Sequence, residues 1–169
     1  MKLISFDQSS RCTGISCFVD NKWQWSQVID LHKNTNTDER MKQMIHAIYE
    51  VIDTKRPDIV VFEQVSNQSN VKTVIMLAQL QGTIIGKCTE LNIPYSIIEP
   101  SKWRKTVNIE QGKKKRTELK FESLALAHEL FDESLSEDAA ESSLIGLAYL
   151  ILNGYSTLEE FKDAALWRD

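Results

Sequence analysis

The sequence predicts an α/β fold in which a mixed five-stranded sheet is flanked by helices within a single domain. Three short strands come first, and strands then alternate with helices, an order typical of a sheet with helices on its faces. Residues 59–62 (IVVF) are apolar on both faces, as expected of a central parallel strand. The 169 residues are enough to bury a full core but too few for two ordinary domains.

Five segments have the composition and length of strands. They are residues 2–6, 14–19, 22–30, 59–62 and 94–98. Asp20-Asn21, between the second and the third, is a two-residue hairpin signal. We expect the first strand to lie in the middle of the sheet, beside residues 59–62.

Four helices are predicted from apolar residues that recur at helical spacing. They span about residues 38–54, 70–91, 114–131 and 137–152. Thr35 or Thr37 can cap the first, and Asn153-Gly154 is a typical end for the last. No repeat, low-complexity tract or linker interrupts the pattern. Residues 1–169 are therefore predicted to form one domain, of which residues 155–169 are a C-terminal extension.

The helix predicted over residues 70–91 is apolar on more than one side, beyond what a single buried stripe requires. Gly82 and Gly86 would also allow another helix to approach closely. Either this helix is sandwiched inside the monomer or one of its faces meets a partner subunit. It is our candidate homodimer interface.

The composition argues against export and against a membrane protein. Cys12, Cys17 and Cys88 form no metal-spaced pair, and an odd number of cysteines suggests reduced thiols in a cytosol. The first strand begins by residue 3 without a signal-peptide pattern, and no apolar run is long enough to cross a bilayer. We therefore expect a cytoplasmic protein.

Positive charge is concentrated in one segment, although the chain as a whole carries −4. Residues 102–120 contain eight basic and two acidic residues, a net +6 that leaves −10 for the remainder. Such a cluster can attract a phosphate backbone, or it can be an ordinary solvated surface. The candidate DNA-binding residues are Lys102, Arg104, Lys105, Lys113, Lys114, Lys115, Arg116 and Lys120.

Four carboxylates are placed where this fold would bring them together. Asp7 and Glu63 each end an apolar strand, where no packing reason favours an acid. Asp138 and Glu141 are three residues apart in the first turns of the last long helix, so they share a face. Four converging carboxylates would form a site for hard divalent cations, and such sites cut phosphodiesters.

Three sequence blocks resemble the RuvC-type Holliday junction endonucleases, which have the ribonuclease H-like fold. Residues 7–14 (DQSSRCTG) are similar to the family's opening Asp-x-x-Ser-x-x-Thr-Gly segment. Residues 63–65 (EQV) with 79–82 (QLQG) resemble its second block. Residues 138–141 (DAAE) resemble its third block, an acidic pair spaced Asp-Ala-Ala-Asp. The blocks occur in the family's order, and the chain looks most like its compact bacteriophage branch.

The resemblance implies a crossover junction endodeoxyribonuclease that resolves Holliday junctions and related branched DNA by paired phosphodiester hydrolysis, in recombination and repair. It also implies a homodimer, since a two-fold dimer can make two symmetric cuts. Two Mg²⁺ ions per site are implied, with Mn²⁺ as the other possibility, and Asp7 would bridge both. The implied catalytic and metal-binding residues are Asp7, Glu63, Asp138 and Glu141.

Two departures from the family pattern bear on substrate choice. Glu141 stands where cellular members favour aspartate, and Ser66 stands where they carry an aromatic residue that helps open the junction. A nuclease with broader substrate specificity, which cuts flaps, forks or single strands, is therefore an alternative. An inactive DNA-binding relative is another alternative. So is an actin-like or sugar-kinase nucleotide-binding protein, because residues 7–14 also resemble the phosphate loop of that class.

Overall fold

The computed structural model describes residues 1–65, 70–132 and 134–166 and contains the predicted five-stranded mixed sheet. Its strands lie in the order β3-β2-β1-β4-β5, with β1 in the centre. β1 pairs antiparallel with β2 and parallel with β4, and β5 is parallel to β4. The strands are β1 (Lys2–Asp7), β2 (Cys12–Val19), β3 (Lys22–Asp30), β4 (Ile59–Glu63) and β5 (Tyr95–Ile98).

Six helices lie within the described residues, two more than the sequence predicted. They are α1 (Thr37–Lys55), α2 (Val71–Glu90), α3 (Pro100–Thr106), α4 (Arg116–Leu130), α5 (Glu137–Leu152) and α6 (Leu158–Ala165). The short helices α3 and α6 were not predicted. The predicted cap of α1 was wrong: the Asn36 side chain, not a threonine, accepts hydrogen bonds from the backbone N–H groups of Asp38 and Glu39.

The two faces of the sheet are covered by different helices, because successive strand residues point to opposite sides. Leu3 and Val61 belong to a core shared with α3, α4, α5 and α6. Ile4 and Val60 belong to a second core shared with α1 and α2. No helix in the described part of the chain is long and apolar enough to span a membrane.

Helix α5 packs against the sheet through small residues and hydroxyl groups. Gly14 on β2 lies directly against the backbone of α5, at Asp138 and Ala139. Ser16 Oγ lies 2.7 Å from Ser26 Oγ and 2.8 Å from Ser142 Oγ. Because all these hydroxyls are partnered, the close approach leaves no buried polar group unsatisfied among them. The first turn of α5 is thereby held against the middle of the sheet.

Candidate active site

The four predicted acids line one cleft of about 580 Å³ at the end of the central strands. Phe6 is in register with Phe62 across the parallel β1–β4 pair, so the strand-end residues Asp7 and Glu63 lie side by side. Asp138 and Glu141 project from the start of α5 into the same cleft. The predicted convergence of all four carboxylates is what the structure shows; their chemical roles stay a prediction.

Asp7 has a larger rise in pKa than Glu63, the neighbouring acid of the cleft. Burial, followed by the negative charges of Glu141, Glu63 and Asp138, raises its pKa well above the ordinary range. Lys120 opposes this rise but does not reverse it. The ionised form of Asp7 is therefore disfavoured in the cleft, a condition that a bound divalent cation would relieve.

Glu63 is held by both its backbone and its side chain. Gln8 Nε2 donates to the Glu63 carbonyl oxygen at 2.5 Å, and Trp103 Nε1 donates to Glu63 Oε2 at 2.5 Å. Burial raises the pKa of Glu63, while the Trp103 hydrogen bond and the charge of Arg104 act against that rise. The indole thus favours the ionised carboxylate and fixes its orientation.

Glu141 is buried and paired with Arg104. Arg104 Nη2 lies 3.2 Å from Glu141 Oε1, and its guanidinium carbon lies 4.4 Å from the centre of the Trp103 ring. The pair is largely shielded from solvent, with Arg104 only 14% exposed. Arg104 was predicted to hold DNA phosphates; in the structure it is first of all the partner of a candidate catalytic acid.

Cys12 lies beside Asp138 in the cleft. Burial, and then a hydrogen bond to the Asp138 carboxylate, raises the pKa of the Cys12 thiol to about 12. Cys12 is therefore a neutral thiol at physiological pH. Because the thiolate and not the thiol is the metal ligand and nucleophile, Cys12 fills neither role. The chemistry of the cleft rests with its oxygen ligands.

The carboxylates suit hard divalent cations by donor type, since Mg²⁺ and Mn²⁺ prefer oxygen ligands. Across residues 1–65, 70–132 and 134–166, however, no three His, Cys, Asp or Glu side chains are arranged to hold a metal ion. Three of the four acids are engaged by protein donors, Glu63 by Trp103, Glu141 by Arg104 and Asp138 by the Cys12 thiol. The fit lies in ligand chemistry and in the disfavoured ionisation of Asp7, not in a completed coordination geometry.

The predicted basic residues divide into two groups. Arg104, Arg116 and Lys120 line the same cleft as the acids, and Lys120 forms an ion pair with Glu137. The remaining five lie on the exposed surface of α3 and of the loop that precedes α4. These five residues are Lys102, Lys105, Lys113, Lys114 and Lys115. Positive charge thus borders the acidic cleft on one side.

Trp103 was not predicted as a site residue. Its side chain is fully buried, yet its indole nitrogen reaches the cleft. The detectable signal was Pro100, two residues after the end of β5. Proline favours the first position of a helix, which would have placed Trp103 on a short α3. Ser66, the predicted departure from the family's aromatic residue, lies outside the described residues.

The sheet order, with four acids at the ends of two central strands and the start of one buried helix, defines a nuclease-type domain of the ribonuclease H-like class. A comparison with family models gives the particular family. Residues 4–141 match the model described as crossover junction endodeoxyribonuclease RuvC, and the chain belongs to that family.

Relatives and solved structures agree with this assignment. RuvC of Hydrogenovibrio crunogenus is 26% identical over 145 residues, covering 83% of this chain and 82% of its own length. RuvC of Paenarthrobacter aurescens is 32% identical over 80 residues, which cover 47% of this chain and only 42% of that relative. The bacteriophage branch stays a prediction, since both are bacterial proteins.

Two structural neighbours have the same fold at low identity. Thermus thermophilus RuvC, solved in complex with Holliday junction substrate, has a TM-score of 0.72 at 14% identity, covering 93% of this chain and 98% of its own. The Fowlpox virus resolvase, solved with Holliday junction DNA, has a TM-score of 0.66 at 15% identity. The match covers 92% of this chain and 100% of that chain. At this identity the likeness supports the fold.

Proposed function

We propose that this chain is a metal-dependent, structure-selective endodeoxyribonuclease that resolves Holliday junctions and related branched DNA by paired phosphodiester hydrolysis. The observation that carries the proposal is the single cleft in which acids from β1, β4 and α5 meet. Membership of the RuvC family supports the same reaction. We also propose a cytoplasmic location, which would be the host bacterial cytoplasm if the chain is phage-encoded.

Four carboxylates would hold the divalent cations, two Mg²⁺ per site or Mn²⁺ in their place. Bound cations would supply activation of the attacking water and charge neutralisation at the departing oxygen. The chain itself supplies the anionic oxygens and fixes their orientation through Trp103 and Arg104. The proposed ligands are Asp7, Glu63, Asp138 and Glu141.

The basic surface beside the cleft would hold DNA phosphates without reading bases. Replacing Lys113, Lys114, Lys115 and Arg116 together by Ala should weaken binding to all DNA forms alike. Because each phosphate contact contributes roughly 0.9 to the salt slope, the slope should fall by up to about 3.6. Fluorescence anisotropy with labelled DNA over a salt series measures both quantities.

A matched variant separates this role from a general change in charge. Replacing four lysines outside the segment by Ala removes the same charge but should leave most of the affinity and the slope in place. The control positions are Lys22, Lys42, Lys55 and Lys162. If the two quadruple variants gave the same salt slope as the wild type, the cluster would be ordinary surface.

A homodimer through α2 would place two sites around one junction. Val71 and Ile75 on this helix are 68% and 52% exposed. An added Cβ at Gly82 or Gly86 would meet nothing within 4 Å, so none of the residues that the structure describes packs there. These four positions recur at helical spacing on one face. An apolar, small-residue helix face of this kind suits close packing against a second copy.

Cleavage of matched four-way junction, three-way, flap and linear DNA in Mg²⁺ tests the proposal. We expect paired symmetric nicks on the four-way junction. Sedimentation at micromolar concentration should give twice the 19.4 kDa mass of the chain. Equal cutting of all branched forms would favour the broader nuclease. A monomer would contradict the dimer, and no cutting in Mg²⁺ or Mn²⁺ would contradict the enzyme.

A further inference from the structure

Helix α3 brings two adjacent residues to two different acids of the cleft. Trp103 Nε1 donates to Glu63 at the end of β4, and Arg104 Nη2 donates to Glu141 on α5. The two donors stack, with the guanidinium 4.4 Å from the indole centre. A seven-residue helix therefore links acids that come from opposite parts of the chain.

The Trp103 indole can orient the Glu63 carboxylate without competing with it for a cation. The indole N–H is a donor only, so it can orient a carboxylate but cannot bind a cation. The ring is fully buried in the core between the sheet and α5, which leaves it no other position. Among the described residues no donor contacts Glu63 Oε1, so one carboxylate oxygen is fixed and the other is left open to the cleft.

We propose that Trp103 is a positioning residue for divalent-cation binding, acting through the Glu63 carboxylate. The inference rests on the proposed function for the identity of the cation. Partners that orient metal ligands in this way typically change metal affinity by roughly 10- to 100-fold when they are removed. The indole also lies beside Arg104, so the same ring supports the donor to Glu141.

Trp103→Phe removes the N–H and keeps an aromatic ring in the core. We expect the affinity for Mn²⁺ alone, measured by calorimetry without DNA, to fall by roughly 10-fold. With saturating Mn²⁺, kcat should fall while KM for junction DNA stays unchanged. In a Glu63→Gln background the same substitution should have little further effect on Mn²⁺ affinity, since coupled residues are not additive.

Trp23→Phe is the matched control. Trp23 Nε1 donates to Ser26 Oγ at 2.8 Å on β3, so this change also removes an indole hydrogen bond, but outside the cleft. Mn²⁺ affinity should be unaltered in Trp23→Phe. Equal losses in the two variants, or wild-type affinity in Trp103→Phe, would overturn the inference.

If the Trp103→Phe variant does not fold, a measurement on proteins that keep Trp103 still tests the inference. The chain has four tryptophans, so the indole ¹H–¹⁵N spectrum is simple. One indole signal should move in Glu63→Gln and on addition of Mg²⁺ to the wild type. If no indole signal moves in either case, the inference is wrong.

The outcomes distinguish this inference from the proposed function. Cation affinity is measured without DNA, so a wild type that binds Mn²⁺ but cuts no junction would contradict the function and leave Trp103 to be judged on affinity alone. Normal junction cleavage with unchanged Mn²⁺ affinity in Trp103→Phe would contradict the positioning role alone.

Discussion

Asp7→Asn is expected to abolish junction cleavage, with kcat falling by roughly 10³-fold or more, equivalent to about 4 kcal/mol of transition-state stabilisation. Asp7 ends the central strand, and the charges of all three other acids act on its pKa. Asparagine keeps the shape of the side chain but lacks an anionic oxygen for a cation. Gel analysis of nicked four-way junction under single-turnover conditions measures the effect.

The same substitution should stabilise the protein when no cation is present. Because burial and neighbouring carboxylates raise the folded-state pKa of Asp7, the folded protein binds more protons than the unfolded chain above about pH 4. Stability is therefore lost as the pH rises through the raised pKa. The neutral asparagine removes this loss, so in EDTA the variant should melt above the wild type near neutral pH.

Mg²⁺ should reverse that order by binding the folded wild type. Thermal unfolding with and without Mg²⁺ measures the shift, which should be much smaller in Asp7→Asn. Asp163→Asn, at an exposed position on α6, is the control and should behave as the wild type in every assay. Undiminished cleavage by Asp7→Asn would remove this residue from the mechanism.

The central strands and α5 could be predicted because their signals are local. A strand that is apolar on both faces and ends in an acid is unusual enough to place Glu63, and α5 was predicted with the bounds Glu137–Leu152. The predicted place of β1 beside β4 then follows from the general rule that alternating strands and helices form parallel pairs. Convergence of the four acids needed nothing beyond that arrangement.

The partners of the acids could not be predicted, because they depend on contacts distant in sequence. Trp103 stands in a basic run, yet its ring is buried between the sheet and α5. Arg104 is likewise turned inwards to Glu141. For α6 a signal was present and was missed: Thr157 and Glu160 form a capping box that starts the helix.

Gly14→Ala should disrupt the site by moving α5. A Cβ at this position would overlap the backbone carbonyl of Asp138, and a backbone group cannot rotate away as a side chain can. The first turn of α5, with Asp138 and Glu141, must therefore shift relative to Asp7. A displacement of about 1 Å at reacting groups can cost roughly 10²-fold in rate. Overpacking should also lower the free energy of unfolding by about 1–3 kcal/mol.

Gly146→Ala distinguishes displacement of the acids from simple destabilisation. Gly146 lies further along α5 than the two acids, and its Cβ would meet the side chains of Phe18 on β2 and, at 2.6 Å, Ser5 Oγ on β1. We expect this variant to lose stability in urea unfolding but to retain most of its cleavage and Mn²⁺ affinity at temperatures where it is folded. Gly14→Ala should lose both cleavage and Mn²⁺ affinity under the same conditions. If the two variants lost cleavage only in proportion to stability, close packing of α5 on β2 would serve the fold and not the placement of Asp138 and Glu141.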